Sequence, residues 1–257
     1  MKVNNDWKGT KALKMGQRTY STRSLHGQVV HELGRRIVTG EINEGAVLPN
    51  ETELGASFEV SRTALREGIK VLTAKGLLSS RTRTGTRVRP RTEWNMLDPD
   101  VLAWRIDTLE PDDFVQDLVE FRQAVEPLAA SLAAVRATDA DITALEKAYA
   151  DMAAAGDDME SSLEADLRFH QIILQASGNE LLAPLSSMVE TVLKTGFRMM
   201  VPPGKYDVVE AHEVILNAIR GRDSHAAWKA MSNLLKHAVT YNAGVLAEVD
   251  KPKQAIA

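Results

Sequence analysis

Asp166, His170 and His212 are residues whose types and spacing suit chemistry. Asp166 and His170 are four apart, so on a helix they project side by side, and Leu163, Leu167 and Ile173 set them among apolar positions. A carboxylate and an imidazole in such surroundings need each other, a metal or a ligand. His212 precedes Ile215 and Ile219 on a later segment and is placed to converge on the pair, with His237 further along. An aspartate with two or three imidazoles is a nitrogen and oxygen donor set suited to a divalent ion of the zinc, nickel or manganese class. The same spacing also fits ordinary histidines and an aspartate that satisfy one another. Arg122, among Leu118, Phe121 and Val125, either snorkels to solvent or offers a fork to a carboxylate.

A second set points to different chemistry. In Val60 to Gly76, Ser61 can cap a first turn, and Leu65, Ile69 and Leu72 recur at the spacing of one buried helix face. Arg62, Thr63 and Arg66 then point elsewhere. Two guanidiniums and a hydroxyl in the first two turns suit a DNA major groove, where Arg binds guanine O6 and N7 bidentately and a helix N-terminus meets phosphate.

These residues need elements to hold them. Pro49 and Asn50 open a short helix carrying Leu54 and Phe58, and Glu59-Val60 turns into the next helix, which is helix-turn-helix spacing. After Gly76, two short extended runs enclose a basic loop with Arg81, Arg83, Gly85 and Arg87, and read as a wing. Leu25 to Thr39, with Val29, Leu33 and Ile37 at steps of four, makes a bracing helix on which His26 and His31 are exposed or capping residues.

Charge separates the chain into parts. Residues 1 to 93 carry 17 Lys plus Arg against 9 Asp plus Glu, a net of +8, and the remainder carries 14 against 26, a net of −12. Only the first part is suited to face phosphate. With no cysteine, disulfides, cysteine-ligated zinc and thiol catalysis are excluded. No apolar run approaches the roughly 18 residues that span a bilayer, and no signal-peptide core opens the chain. A cytoplasmic protein with no membrane partner is expected.

The expected organisation is a flexible basic arm (1–23), a winged helix-turn-helix (24–91), an extended linker (92–108) and an all-helical domain (109–249). In the linker, Pro90 and Pro99 argue against a continuing helix, and Trp94 and Trp104 serve as packing anchors. Helical spacing in the last domain predicts Asp112 to Arg136, with Leu118, Phe121, Val125, Leu128 and Leu132 inward and a kink at Pro127. A helix from Thr138-Asp139-Ala140-Asp141, a capping box, ends at Gly156. Helices at 160–176, 181–200, 207–220 and 224–249 follow. The fold class is mainly α.

Ile37, Gly40, Gly45, Leu48-Pro49, Glu51, Leu54, Val60 to Thr63, Arg66-Glu67, Leu72, Gly76-Leu77, Gly85 and Val88 resemble the winged helix-turn-helix of GntR-type bacterial transcription regulators. That resemblance implies operator contacts by Ser61, Arg62, Thr63, Arg66 and Gly85. The connector Trp94 to Trp104 is similar to that of sugar-acid-responsive members. Asp166 to His170, Ser177-Gly178-Asn179 and Glu210-Ala211-His212 resemble the FCD-type helical effector domain of the fatty-acid-responsive branch. The resemblance implies a metal held by one Asp and three His, with a carboxylate on the open positions. Asp166, His170 and His212 match three of the four. The fourth falls near Leu234, where this sequence departs, and His237 could substitute only from a neighbouring position. Arg122 matches an arginine that meets anionic effectors, and Asn179 and Arg198 are further effector candidates.

The expected function is a homodimeric repressor that binds double-stranded operator DNA and is released by a small carboxylate such as a sugar acid. The rival is a metal-dependent enzyme on the helical bundle with an accessory basic domain, but no activated nucleophile or general-base pair stands apart from the metal candidates. A purely architectural nucleic-acid protein would leave the acidic domain without a purpose.

Overall fold

The computed structural model describes residues 20–21, 24–81, 85–106, 112–186, 188–190 and 208–249, without the side chains of 81, 106, 112–115, 208 and 237–249. The expected N-terminal arm falls outside these residues apart from Tyr20 and Ser21. The chain divides into two compact units, Met1–Glu110 and Pro111–Ala257.

In the first unit, α1 (Leu25–Val38) starts at Ser24, whose hydroxyl accepts from the Gly27 amide. Val29, Val30, Leu33 and Ile37 bury its apolar stripe. Asn50 caps α2 (Glu51–Ser57) by accepting from the Thr52 and Glu53 amides, both at 3.0 Å. The turn to α3 (Arg62–Ala74) passes through Glu59 at φ 54°, a left-handed conformation that a non-glycine residue adopts at some cost. Leu65, Ile69 and Leu72 of α3 pack against α1 in one apolar core. Gly76 stops α3 at φ 79°, and a Cβ there would lie 2.6 Å from the Glu93 carbonyl oxygen, so both backbone and space demand glycine.

Strands β1 (Leu78–Arg81) and β2 (Gly85–Val88) pair antiparallel with Leu78 opposite Val88 and Arg81 opposite Gly85. The extended runs therefore reach further into the basic stretch than the sequence suggests. Val47 adds an isolated bridge to Arg87, a pairing that no alternating run announced.

The connector differs from expectation. Residues Arg91–Glu93 form a 3-10 turn and Pro99–Ile106 form a helix, α4, rather than an extended linker. Pro99 occupies the first helical position, where its missing N–H costs nothing, and Asp98 caps the helix through the Asp100 and Val101 amides. Trp104 fixes α4 against α1. Its ring lies where a Cβ on Gly34 would come within 2.4 Å, and its Nε1–H donates to His31 Nδ1 at 3.1 Å. His31 is thus a packing partner, also 3.2 Å from the Tyr20 hydroxyl, and not an idle surface residue. Under the turn, Lys75 Nζ at the end of α3 meets both Asp98 oxygens at 2.9 Å and Asp100 Oδ2 at 2.7 Å, with Lys75 and Asp100 buried. No sequence pattern indicated this ionic knot.

The second unit is helical in all its regular described elements: α5 (Asp112–Arg136), α6 (Asp139–Ala155), α7 (Met159–Ala176), a 3-10 turn (Ala183–Leu185), α8 (Val208–Arg220) and α9 (Ser224–Val249). Thr138 and Asp141 make the expected capping box at the head of α6. Helix α5 continues through Pro127. Leu118 is buried and Val125 and Leu132 pack against the core as expected, but Leu128 is 46 % exposed, while Ala129, Ala130, Ala133 and Ala134 are buried. Small residues let α9 pack closely along α5, and the closely packed alanines outweigh the single large side chain. The helix expected from Leu181 starts later: the chain passes through the 3-10 turn, is helical at 186 and 188–190, and 191–207 lie outside the described residues.

Candidate functional site

The first candidate surface lies on α3. Ser61 Oγ accepts from the Ala64 amide at 3.2 Å, so this hydroxyl builds the helix start. Arg62, Thr63 and Arg66 all stand exposed on the first two turns. Arg62 Nη2 donates to Thr52 Oγ1 at 3.3 Å, and Arg66 Nε donates to Glu51 Oε2 at 2.8 Å. Both partners lie in the first turn of α2, so the two guanidiniums are held along the edge where α3 meets α2. The Arg66–Glu51 pair is open to water, at 64 % and 42 % exposure, and such pairs hold side chains weakly enough to be exchanged for a stronger acceptor. In the wing, Gly85 has φ 76° with only an ordinary 3.6 Å contact awaiting a Cβ, so its backbone conformation is what calls for glycine. Arg87 does not stand free as the basic-loop reading implied: its Nη1 donates to the Gly45 carbonyl and ties the hairpin to the loop before α2. Arg83 lies outside the described residues.

The second candidate site is inside the helical unit. Arg122 and Glu126 come from α5, Asp166 and His170 from α7, and His212 from α8. Asp166 Oδ1 is 2.8 Å from His212 Nε2 and 3.5 Å from His170 Nε2, and the two Nε2 atoms are 3.4 Å apart. One donor atom from each of the three lies within 4.8 Å of the others. Phe169 stands edge-on to both rings and closes the apolar side. Arg122, Glu126, His170 and His212 are buried, while the Asp166 side chain keeps 17 % exposure.

Arg122 does not snorkel. Its Nε and Nη2 donate to the two oxygens of Glu126, four residues on, and Nη2 lies 3.4 Å from His170 Nε2. Glu126 Oε2 also stands 2.5 Å from His170 Nδ1, off the N–H direction, so that the contact is ionic rather than an aligned hydrogen bond. Burial pushes the Glu126 carboxyl up, but the charges of Arg122 and His170 prevail and hold it at about 2. Asp166 is likewise raised by burial and pulled below the usual carboxylate range by His170 and His212. Burial lowers the His170 imidazole, yet Glu126 and Asp166 outweigh it and bring it up to about 9. Burial also lowers the Arg122 guanidinium, and Glu126 overrides this to raise it.

The donor set fits a divalent ion. Two carboxylates face one permanent cation, so before any imidazole is protonated the cluster carries one negative charge, which a cation can balance. Two imidazole nitrogens and one oxygen converge from two helices, and a carboxylate stands behind the His170 ring, as outer-shell carboxylates do behind histidines that bind metals.

Other sequence candidates are not brought here. Asn179 lies beyond the end of α7, and its Oδ1 accepts from the Leu181 amide at 2.9 Å as a turn cap. Among the described residues no hydrogen bond joins it to the cluster. Leu234 is buried in the apolar core, while the side chain of His237 and all of Arg198 lie outside the described residues. Glu126 escaped the sequence reading, although its i, i+4 spacing from Arg122 was a usable signal.

Residues 25–88 match the model of bacterial regulatory proteins of the gntR family, and residues 117–237 match the FCD domain. The chain belongs to the gntR family of bacterial regulatory proteins. GntR regulators bind operator DNA and small-molecule effectors, and nothing in the family supports the rival reading of an enzyme. This GntR chain is 35 % identical to the HTH-type transcriptional regulator YieP of Escherichia coli, over 86 % of this chain and 96 % of that one. It is 34 % identical to the galactonate operon transcriptional repressor of Escherichia coli, over 81 % of this chain and 92 % of that one. Among solved structures, Lar, described as controlling the Listeria monocytogenes agr system, shares the fold at a TM-score of 0.56 and 19 % identity, covering 88 % of this chain and 99 % of its own. Among the described residues no helix is long and apolar enough to cross a membrane.

Proposed function

We propose that this GntR regulator is a cytoplasmic homodimeric repressor that binds a palindromic double-stranded operator and leaves it when a small carboxylate enters the helical domain. Residues 24–91 serve DNA, 109–249 serve effector and dimerisation, 92–108 connect them, and the basic arm 1–23 adds phosphate contacts. Ser61, Arg62, Thr63 and Arg66 meet the operator in the major groove, with Arg83, Gly85 and Arg87 of the wing beside the backbone. The reading of the helical domain rests on one observation above all: Arg122, Asp166, His170 and His212 converge in its interior. A permanent cation beside a ligand set of this kind favours an anion there. The galactonate operon repressor among the relatives makes a sugar acid the first compound to try.

Asp166, His170 and His212 would hold a divalent ion of the zinc, nickel or manganese class, with His237 as a further ligand candidate. Such an ion supplies positive charge and open coordination positions for carboxylate or water oxygens. Arg122 orients the carboxylate. The effector moves the protein off DNA only as far as its affinities for the two domain arrangements differ.

The effector site is tested by metal analysis and operator release together. Purified protein is expected to carry one metal per chain, and His212→Ala to lose both the metal and the response to sugar acids. Release that survives thorough chelation and vanishes only with Arg122→Ala would remove the metal from this account, leaving the histidines to hydrogen-bond the effector directly.

Dimerisation has its own test. One winged helix reads too few base pairs for a unique site, so a twofold dimer with two half-sites supplies the needed affinity and spacing. Sedimentation at micromolar concentration is expected to give a dimer, and footprinting two half-sites about one helical turn apart. A monomer protecting a single half-site contradicts this.

A further inference from the structure

We propose that Glu126 is the positioning residue of the helical-domain centre, setting at once which nitrogen of His170 faces the ion and which edge of Arg122 faces an incoming anion. The inference rests on the metal reading above.

Glu126 is 1 % exposed, and a buried carboxylate persists only where its oxygens are matched. Both are. Oε1 accepts from Arg122 Nε, while Oε2 lies 3.3 Å from Arg122 Nη2 and 2.5 Å from His170 Nδ1. The negative charge of a carboxylate 2.5 Å from Nδ1 favours a proton on that nitrogen, although the contact is not an aligned hydrogen bond. The lone pair of the neutral ring is then at Nε2, the atom that lies 3.5 Å from Asp166 Oδ1 and 3.4 Å from His212 Nε2. The tautomer that ligates is therefore selected from helix α5, one helix away from the ligand itself.

The same carboxylate disposes of Arg122. With Nε and one Nη2 proton turned to Glu126, and Nη2 also against His170 Nε2, Nη1 has no hydrogen bond within the described residues. That edge remains for a carboxylate of the effector. Arg122 and His170 are 48 positions apart and share one orienting group, so their donor atoms are fixed relative to each other before any ligand arrives. Neutralising Arg122 alone would need no contact to His170. The contact at Nδ1 is what distinguishes positioning from simple charge balance.

The test uses the full chain, with zinc as the probe. Zinc affinity is measured by competition with a chromophoric chelator for the wild type and for Glu126→Gln, which keeps the shape and one acceptor but removes the charge. Glu126→Gln is expected to weaken zinc binding by about 10- to 100-fold. In the zinc-loaded wild type, nitrogen-15 NMR is expected to show zinc on His170 Nε2 and a proton on Nδ1. The NMR result needs no variant, so it stands even if Glu126→Gln folds poorly. Unchanged zinc affinity in folded Glu126→Gln, or zinc on Nδ1 of His170 in the wild type, overturns the proposal and leaves the metal reading intact. A wild type that takes up no zinc overturns both.

Discussion

Lys75→Ala is expected to destabilise the DNA-binding unit by about 3–5 kcal/mol, because it removes the buried cation that Asp98 and Asp100 share. Lys75 caps the C-terminal end of α3, and both aspartates open α4, so one ammonium joins two elements 23 and 25 residues distant in sequence. Asp98 also caps α4 through the Asp100 and Val101 amides, so a carboxylate shifted by the loss of Lys75 loosens the helix start as well. Urea denaturation followed by tryptophan fluorescence reads this, since Trp94 and Trp104 are buried in the same unit. The triple change Lys75→Met, Asp98→Asn, Asp100→Asn is expected to recover much of the loss, because apolar or neutral groups of similar volume avoid the desolvation cost. A loss below about 1 kcal/mol for Lys75→Ala would place the ionic knot among the weak surface pairs.

Arg62→Ala and Arg66→Ala are each expected to weaken operator binding by about 1–3 kcal/mol, and the pair together by about the sum if the two read separate bases. The loss is sequence-specific: binding to unrelated DNA at the same salt falls far less. Freeing Glu51 from Arg66 adds a carboxylate near the phosphates, so the Arg66 variant loses more than its base contact. Arg87→Ala carries a different signature. Its guanidinium ties β2 to the Gly45 carbonyl, so the variant is expected to lower the stability of the hairpin along with general DNA affinity. Gel-shift titrations on operator and scrambled DNA at fixed salt separate these effects. Arg62 and Arg66 variants that bind the operator as tightly as the wild type would refute the groove assignment.

The amino-acid order alone determined what depends on neighbours within a turn or two. Ser61, Asn50 and Thr138 mark helix starts because a short polar side chain reaches its own chain's free amides. The step of 100° per residue puts Arg62 and Arg66 on one exposed face and Leu65 and Leu72 on the buried one. The same step makes Asp166 and His170 neighbours, and the partition of charge by itself marks the basic unit.

What spacing cannot fix is how a helix turns about its axis once others press on it. On α5 the larger side chains suggested that Leu128 faces inward, but the unit instead buries the alanine face together with Arg122 and Glu126. Those two charges can enter the core because each neutralises the other, and the second oxygen of Glu126 also meets His170. Proline at 99 argued for an extended linker, yet a proline at a first helical position is compatible with α4, and only the fit of Trp104 against Gly34 and the pairing of Lys75 decided for the helix. His212 meets Asp166 across 46 residues, and Glu126 meets His170 across 44. Contacts of that range belong to the packing of whole helices. The amino-acid order supplied the donor atoms of the centre, and the tertiary structure decided which of them share a point in space.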